Sequence, residues 1–313
     1  VEITEADAIT DGGAWTTGAT TLNAGANNIN LDEAGSSLGS VVLTGDNVAV
    51  IETDDVTVSS VTATGIASFE SEGDGNDVDI NGDISANGGI DLTADTANGN
   101  GRIRLGANLT TINNPVDLNS AAVIDIGAGP GATITTGGGG GDITFDSTID
   151  GGNDLTLEAG TGAVTVDGVI GANTAIGDGA GDSLTINAAS VTLSGIGDGA
   201  TGANAGVVVS ASDEVTLNAA GTADYWSTGS QSFTGTNIGA VISAGVNTDL
   251  RAGGGGFTFR DLYIDAPGAT LDASGQTITT RDFVFYRGTL DINGGSVATT
   301  GAGGGDFVVV GPN

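Results

Sequence analysis

The sequence predicts an all-β fold: a parallel β-helix, or β-solenoid, of about 20–25 residues per coil. Three observations predict it. Apolar–polar–apolar triplets of β-forming residues recur between Gly141 and Leu217: Ile143-Thr144-Phe145, Leu155-Thr156-Leu157, Val164-Thr165-Val166, Leu184-Thr185-Ile186, Val191-Thr192-Leu193 and Val215-Thr216-Leu217. The triplets fall into two series. Ile143, Val164 and Leu184 recur at a spacing of roughly 20 residues, the period of a solenoid coil. Leu155, Val191 and Val215 form the second series, with Val169-Ile170 filling its gap. The 313 residues include 57 Gly and four Pro, with no Gly-X-Y period and few runs of helix formers. One triplet cannot bury its apolar face alone. Stacked about 4.8 Å from its equivalent in the next coil, it can.

Taken in order, residues 1–40 are the least regular. Ile3, Ala8-Ile9, Leu22 and Ile29-Asn30-Leu31 give short strands between Gly-rich and Asn-rich turns, and Trp15 is expected to pack over the first coil. Residues 41–126 carry the triplets densely. Starts at Val78, Ile103, Ile124 and Ile143 follow one another at roughly 20–25 residues, and a second series, Ile90 and Val116, keeps a similar step. Two or three strands per coil follow, with loops of unequal length. The outer residues of each triplet face the core and the middle one faces solvent. At roughly 21 residues per coil the chain makes about 14 coils, a rod on the order of 70 Å long. The Gly-rich runs at 127–142 and 171–182 resemble phosphate-cradling loops only superficially. The chain has no Lys for a P-loop and no helix to follow a dinucleotide fingerprint, so these runs read as corners between stacked strands.

The composition changes near residue 219, which divides a regular Gly/Asp/Thr-rich solenoid (1–218) from an aromatic- and Arg-enriched continuation (219–313). Ten of the 13 aromatics and four of the six Arg lie in the second part. Tyr225-Trp226 fits no triplet and reads as an exposed loop. Tyr225, Trp226, Arg251, Arg260, Tyr263, Arg281, Tyr286, Arg287, Val308 and Val310 are the candidate interface residues, with the Arg side chains meeting an acidic neighbour.

With 39 acidic residues and no Lys, the net charge is −33. This disfavours nucleic acid and anionic membrane surfaces. Cys, His and Met are absent, which excludes disulfides and zinc sites of the usual ligands. No apolar run is long enough for a membrane-spanning helix. The chain opens at Val1 without signal or transit peptide and reads as a processed piece of something longer. No cofactor is required. The one ion the acidic loops suit is Ca²⁺, because Glu72-Gly73-Asp74-Gly75-Asn76-Asp77 and Gly177-Asp178-Gly179-Ala180-Gly181-Asp182 partly match the Ca²⁺-binding nonapeptide. The candidate ligands are Asp74, Asn76, Asp77, Asp178 and Asp182.

The runs Gly141-Asp142-Ile143-Thr144-Phe145, Asn153-Asp154-Leu155-Thr156-Leu157-Glu158-Ala159-Gly160 and Gly162-Ala163-Val164-Thr165-Val166-Asp167-Gly168 resemble repeats of haemagglutinin-like large exoproteins, over about residues 78–217. That resemblance implies a right-handed parallel β-helix, export to the bacterial cell surface, and adhesive or structural work without catalysis. Both ends of the chain fall inside the strand pattern with no helical cap, and Pro312 alone blunts the last edge. The expected partner is therefore the protein itself, as a filament unit or a segment of a longer rod. Cell-surface glycans are the second expected partner, and a carbohydrate-active or carbohydrate-binding β-helix is the alternative function. No pair of carboxylates stands out among the many as a catalytic pair.

Overall fold

The computed structural model describes residues 1–33, 35–95, 99–127, 129–199, 201–218, 224–236, 239–243, 246–253, 256–300 and 306–309. Among these residues there is no helix, and the strands pair in parallel. The chain is a parallel β-solenoid that divides into two compact units. One is Val1–Ser147 with Glu158–Gly162, and the other is Thr148–Leu157 with Ala163–Asn313. The change of composition near residue 219 falls inside the second unit.

In the first unit the opening coils have two strands each, with an isolated bridge from Thr16 to Ser37 between them, and later coils have three, for example Val78–Ile80, Ile84–Ala86 and Gly89–Ala94. Three inward columns run through it. One is Ile3, Leu22, Leu43, Val61, Ile84, Leu109 and Ile134, each paired with the next. A second is Val56, Val78, Ile103 and Ile124. The third is Leu31, Val50, Phe69, Leu92, Leu118 and Phe145. The parallel column Ile9, Ile29, Val48, Ala67, Ile90, Val116 and Ile143 shows that the coils lengthen along the unit. The steps from Ile29 to Val48 and from Val48 to Ala67 are the shortest in it and the step from Val116 to Ile143 the longest.

The second unit repeats the plan. Its column is Val164, Val191, Val215, Ala240, Leu262, Phe283 and Phe307, and here the coils shorten from the first step to the step between Leu262 and Phe283. Coils average about 23 residues, longer than the roughly 21 expected, and about 12 of them accommodate the chain rather than 14.

The pairing also exchanges members between the two predicted series. Val164 stacks on Val191 and Val215, whereas Leu184 belongs to another sheet and stacks on Val207. Leu155 likewise stands in the sheet that holds Leu184, not in that of Val191. Ile143 stacks on Val116, not on Ile124. Loops of unequal length separate the strands, so spacing alone does not assign a triplet to its column.

The direction of the side chains follows the triplets. Leu155, Leu157, Val164 and Val166 are all fully buried, and Thr156 and Thr165 between them are part-exposed. Each buried Leu or Val contributes about 1.5–3 kcal/mol of transfer free energy. Corners need Gly where coils approach each other. A Cβ on Gly82 would collide with the Ser59 carbonyl of the preceding coil. Part of the aromatic enrichment of the last third enters the core, where Phe233 lies on Phe259 at 5.6 Å, and Phe259 on Phe257 at 6.1 Å.

Two outcomes are expected. Leu155→Asp or Val164→Asp places an unpaired charge in the core and should cost several kcal/mol in denaturant unfolding. Thr156→Asp or Thr165→Asp should leave the midpoint nearly unchanged.

The second outcome concerns Glu52, buried at a corner and accepting a hydrogen bond from the Leu38 N–H at 3.3 Å. Burial, with the Asp54 carboxyl beside it, raises its pKa from 4.5 to about 8. The folded chain therefore keeps a proton that the unfolded chain releases near pH 4.5. The stability this group contributes is complete below about pH 4.5 and is lost as pH rises through about 8. Burial also raises Glu70, Asp77 and Asp91, which add in the same direction. Unfolding free energy should fall between pH 5 and 8, with Glu52 responsible for on the order of a few kcal/mol. In Glu52→Gln the remaining slope should be shallower, as read by melting temperature across that range.

Candidate functional site

The last coils of the second unit differ from the rest in what they show to solvent. Outward positions of one sheet are Thr165, Thr192 and Thr216 in successive coils. The same column then becomes Val241, Tyr263, Val284 and Val308. Val308 is exposed, as are its neighbours Phe307 and Val309 at 61% and 62%, and Tyr286 stands exposed at a register shift in the same sheet. Phe285, Leu290, Ile292 and Val297 line an open apolar recess of about 520 Å³ beside Phe307 and Val309. Phe307 stacks on Phe283 at 4.8 Å, so one aromatic face is covered and the rest is open. Val310, predicted at this surface, and Pro312 lie outside the described residues.

Charge is distributed unevenly along the same chain. Residues 1–250 hold 33 acidic groups and two Arg, a net −31. Residues 251–300 hold five Asp and four Arg, a net −1, and Asp306 completes the −33. The balance is kept by ion pairs between successive coils. Arg251 reaches Asp272 at 2.9 Å and Asp249 at 3.6 Å. Arg281 binds Asp261, and also Asp282 at 3.1 Å. Arg287 makes a two-pronged contact with Asp265, both distances 2.7 Å. Arg260 donates to the Thr236 carbonyl at 2.7 Å. These contacts depress the Asp272 pKa to about 2, first through hydrogen bonds from Ser274 and then through Arg251, and hold Asp265 below the usual range.

These contacts revise two expectations. Arg251, Arg281 and Arg287 hold adjacent coils of their own chain together instead of standing free for an acidic neighbour, because each parallel register places an Asp within reach. Tyr225 is not on an exposed loop. It lies on the strand Tyr225–Ser227, fully buried, with its hydroxyl donating to the Leu193 carbonyl at 2.9 Å and its ring edge-on to Phe233. Trp226 points the other way and is part-exposed, as is Tyr263. Trp15 is also part-exposed, with its backbone N–H held by Ser36 Oγ at 3.0 Å.

The predicted Ca²⁺ ligands are held in different ways. Asp77 is buried, accepts from the Arg102 N–H at 2.8 Å and pairs with Arg104 at 2.5 Å. Asn76 donates its side-chain amide to the Thr53 carbonyl, and Asp74 accepts from Asn100 at 3.3 Å. Asp178 caps the Ala180 N–H at 2.8 Å, and Asp182 is exposed at the start of its strand. Among the described residues no three Asp or Glu groups converge so as to hold a metal ion. Among the same residues there is no helix long and apolar enough to cross a membrane.

Residues 1–45 match a family model described as Repeats of unknown function (DUF5649). No curated protein matches the chain, and no solved structure does. The matched stretch is the part whose triplets are least regular. Its coils are nonetheless in step with the rest of their unit, through Ile9, Ile29 and Val48.

Proposed function

We propose that this β-solenoid repeat protein is a non-catalytic structural and adhesive element of a bacterial extracellular surface, and that it associates with further copies of itself through its last coils. The carrying observation is the coincidence of two properties at one place. The exposed apolar surface of Phe307, Val308, Val309 and Tyr286 lies in and just after residues 251–300, which carry five Asp against four Arg. Elsewhere a net −31 opposes close approach of a second copy. Pairing of like patches from two copies covers the apolar surface and keeps the acidic coils apart. The resemblance of residues 78–217 to haemagglutinin-like exoprotein repeats supports the surface location and adhesive role. The repeat-family match at residues 1–45 agrees with a repeat-built protein.

Sedimentation equilibrium tests this reading. The parent chain should show a concentration-dependent mass above the 30.1 kDa of one copy. The association should strengthen with added NaCl, because salt screens the repulsion and leaves the apolar contact. Phe307→Asp with Val308→Asp should yield a single copy at the concentrations where the parent associates, and Val42→Asp, exposed in the acidic part, should have no effect. A parent that stays single throughout, or an association unaffected by the paired substitution, would rule the proposal out.

A further inference from the structure

A second feature of the second unit is independent of self-association. Two columns, Ile170–Ile196–Tyr225–Leu250 and Ile176–Ala203–Ser227–Ala252, run side by side through successive coils. Between them the chain inserts residues 171–175 in one coil and residues 197–202 in the next. The following two coils have a single residue at that place, Trp226 and then Arg251. The extra residues therefore stop abruptly, and Trp226 stands on a ledge where the two columns come closest in sequence. Its backbone is fixed from above: its N–H donates to the Ile196 carbonyl at 2.7 Å, and its own carbonyl accepts from the Ala203 N–H at 3.0 Å. The indole separates two recesses. The larger, about 140 Å³, is lined by Gly199, Asp224, Trp226, Asp249 and Arg251. The smaller, about 40 Å³, lies towards Thr201 and Asn204.

The chemistry of this ledge is selective. A part-exposed indole offers a flat apolar face with a polar edge. Asp224 uses one oxygen to accept from the Asp249 N–H at 2.7 Å, and its other oxygen faces Gly199, whose lack of a side chain leaves the recess open. Asp224 is held above its usual pKa by burial, which agrees with a carboxyl withdrawn from bulk water. Arg251 lies beside both acids but is anchored to Asp272, so one positive charge is already supplied. A ligand must then present an apolar face to Trp226 and hydrogen-bond donors to Asp224 and Asp249, without adding a cation. The recess is below the roughly 300–1,000 Å³ of pockets that enclose a whole drug-sized ligand. It admits one ring or the end of a chain.

We propose that this ledge is a saccharide-binding subsite, which takes one sugar ring with its C–H face on Trp226 and its hydroxyls on Asp224 and Asp249. The ring enters beside Gly199. The inference goes beyond the structural role and does not depend on it.

The experiment uses the full chain carrying Trp15→Phe, which leaves Trp226 as the only indole, and Phe307→Asp, which removes the association patch from consideration. Trp fluorescence is titrated with glucose, galactose, mannose, N-acetylglucosamine and their disaccharides, and with tetramethylammonium as a cation of similar bulk. At least one saccharide should give a saturable change. Asp249→Asn should weaken it about tenfold, the loss of a charged hydrogen-bond acceptor. Trp226→Ala, followed by saturation-transfer NMR of the same sugar, should abolish binding, and Trp226→Phe should restore part of it. Unchanged circular dichroism in each variant checks the fold. Absence of a saturable response to every saccharide, binding that survives Trp226→Ala, or a response to tetramethylammonium alone would each overturn the proposal.

Discussion

Each coil buries its apolar side chains only against the equivalent side chains of the coils before and after it. Everything else in the two units follows from that requirement. A strand of three residues offers two inward positions, too few for a core of its own. Stacked in parallel, Leu31, Val50, Phe69, Leu92, Leu118 and Phe145 form a continuous apolar column. The backbone bonds of each strand are satisfied by its neighbours, so the loops between strands are free to vary. Coil length consequently differs from one turn to the next, short between Ile29 and Val48 and long between Val116 and Ile143, while the inward columns stay in register.

The same stacking multiplies electrostatic cost. An outward residue has its equivalents only one strand spacing away, about 4.8 Å, well inside the Debye length. Asp91 and Asp117 are such neighbours, and the pKa of Asp91 is raised by burial and then by Asp117. Where Arg is available the geometry works in the opposite sense. Arg104 pairs with Asp77 and Asp79 of the preceding coil, and Arg281 and Arg287 repeat the arrangement with Asp261 and Asp265. Exposed pairs of this kind add little stability singly. Their larger effect here is to cancel charge locally, so that residues 251–300 carry a net −1.

The triplets made the fold legible because period-two alternation and a near-constant coil length are both properties of sequence. Column membership was not legible. Leu184 follows Val164 at close to one coil length, yet it stands in another sheet, because a long Gly-rich loop occupies most of the interval. Tyr225-Trp226-Ser227 escaped the triplet test because its inward residues are a Tyr and a Ser. The Tyr hydroxyl is satisfied by the Leu193 carbonyl, far back in the sequence, a partner that only the stacked coils bring near. The aromatic and Arg enrichment of residues 219–313 is plain in the sequence. Which Arg were already engaged depended on register, and the ledge at Trp226 depended on two loop insertions in coils that precede it.

Inward positions are constrained by the columns, so departures at outward positions carry most of the information about partners. Thr165, Thr192 and Thr216 meet water on equal terms, with a hydroxyl and a methyl each. Replacing that column by Val241, Tyr263, Val284 and Val308 removes most of the hydrogen-bonding capacity, and the gain for the fold is limited to contacts between neighbouring strands, because these side chains do not enter the core. Apolar surface of this kind is explained by something that covers it. It would be of little use on residues 1–250, where a net −31 holds a like-charged partner away, and charge balance alone would offer no apolar contact to a partner that arrived. The two conditions are met together in the last coils. The proposed association of two copies rests on that coincidence of apolar surface and low net charge.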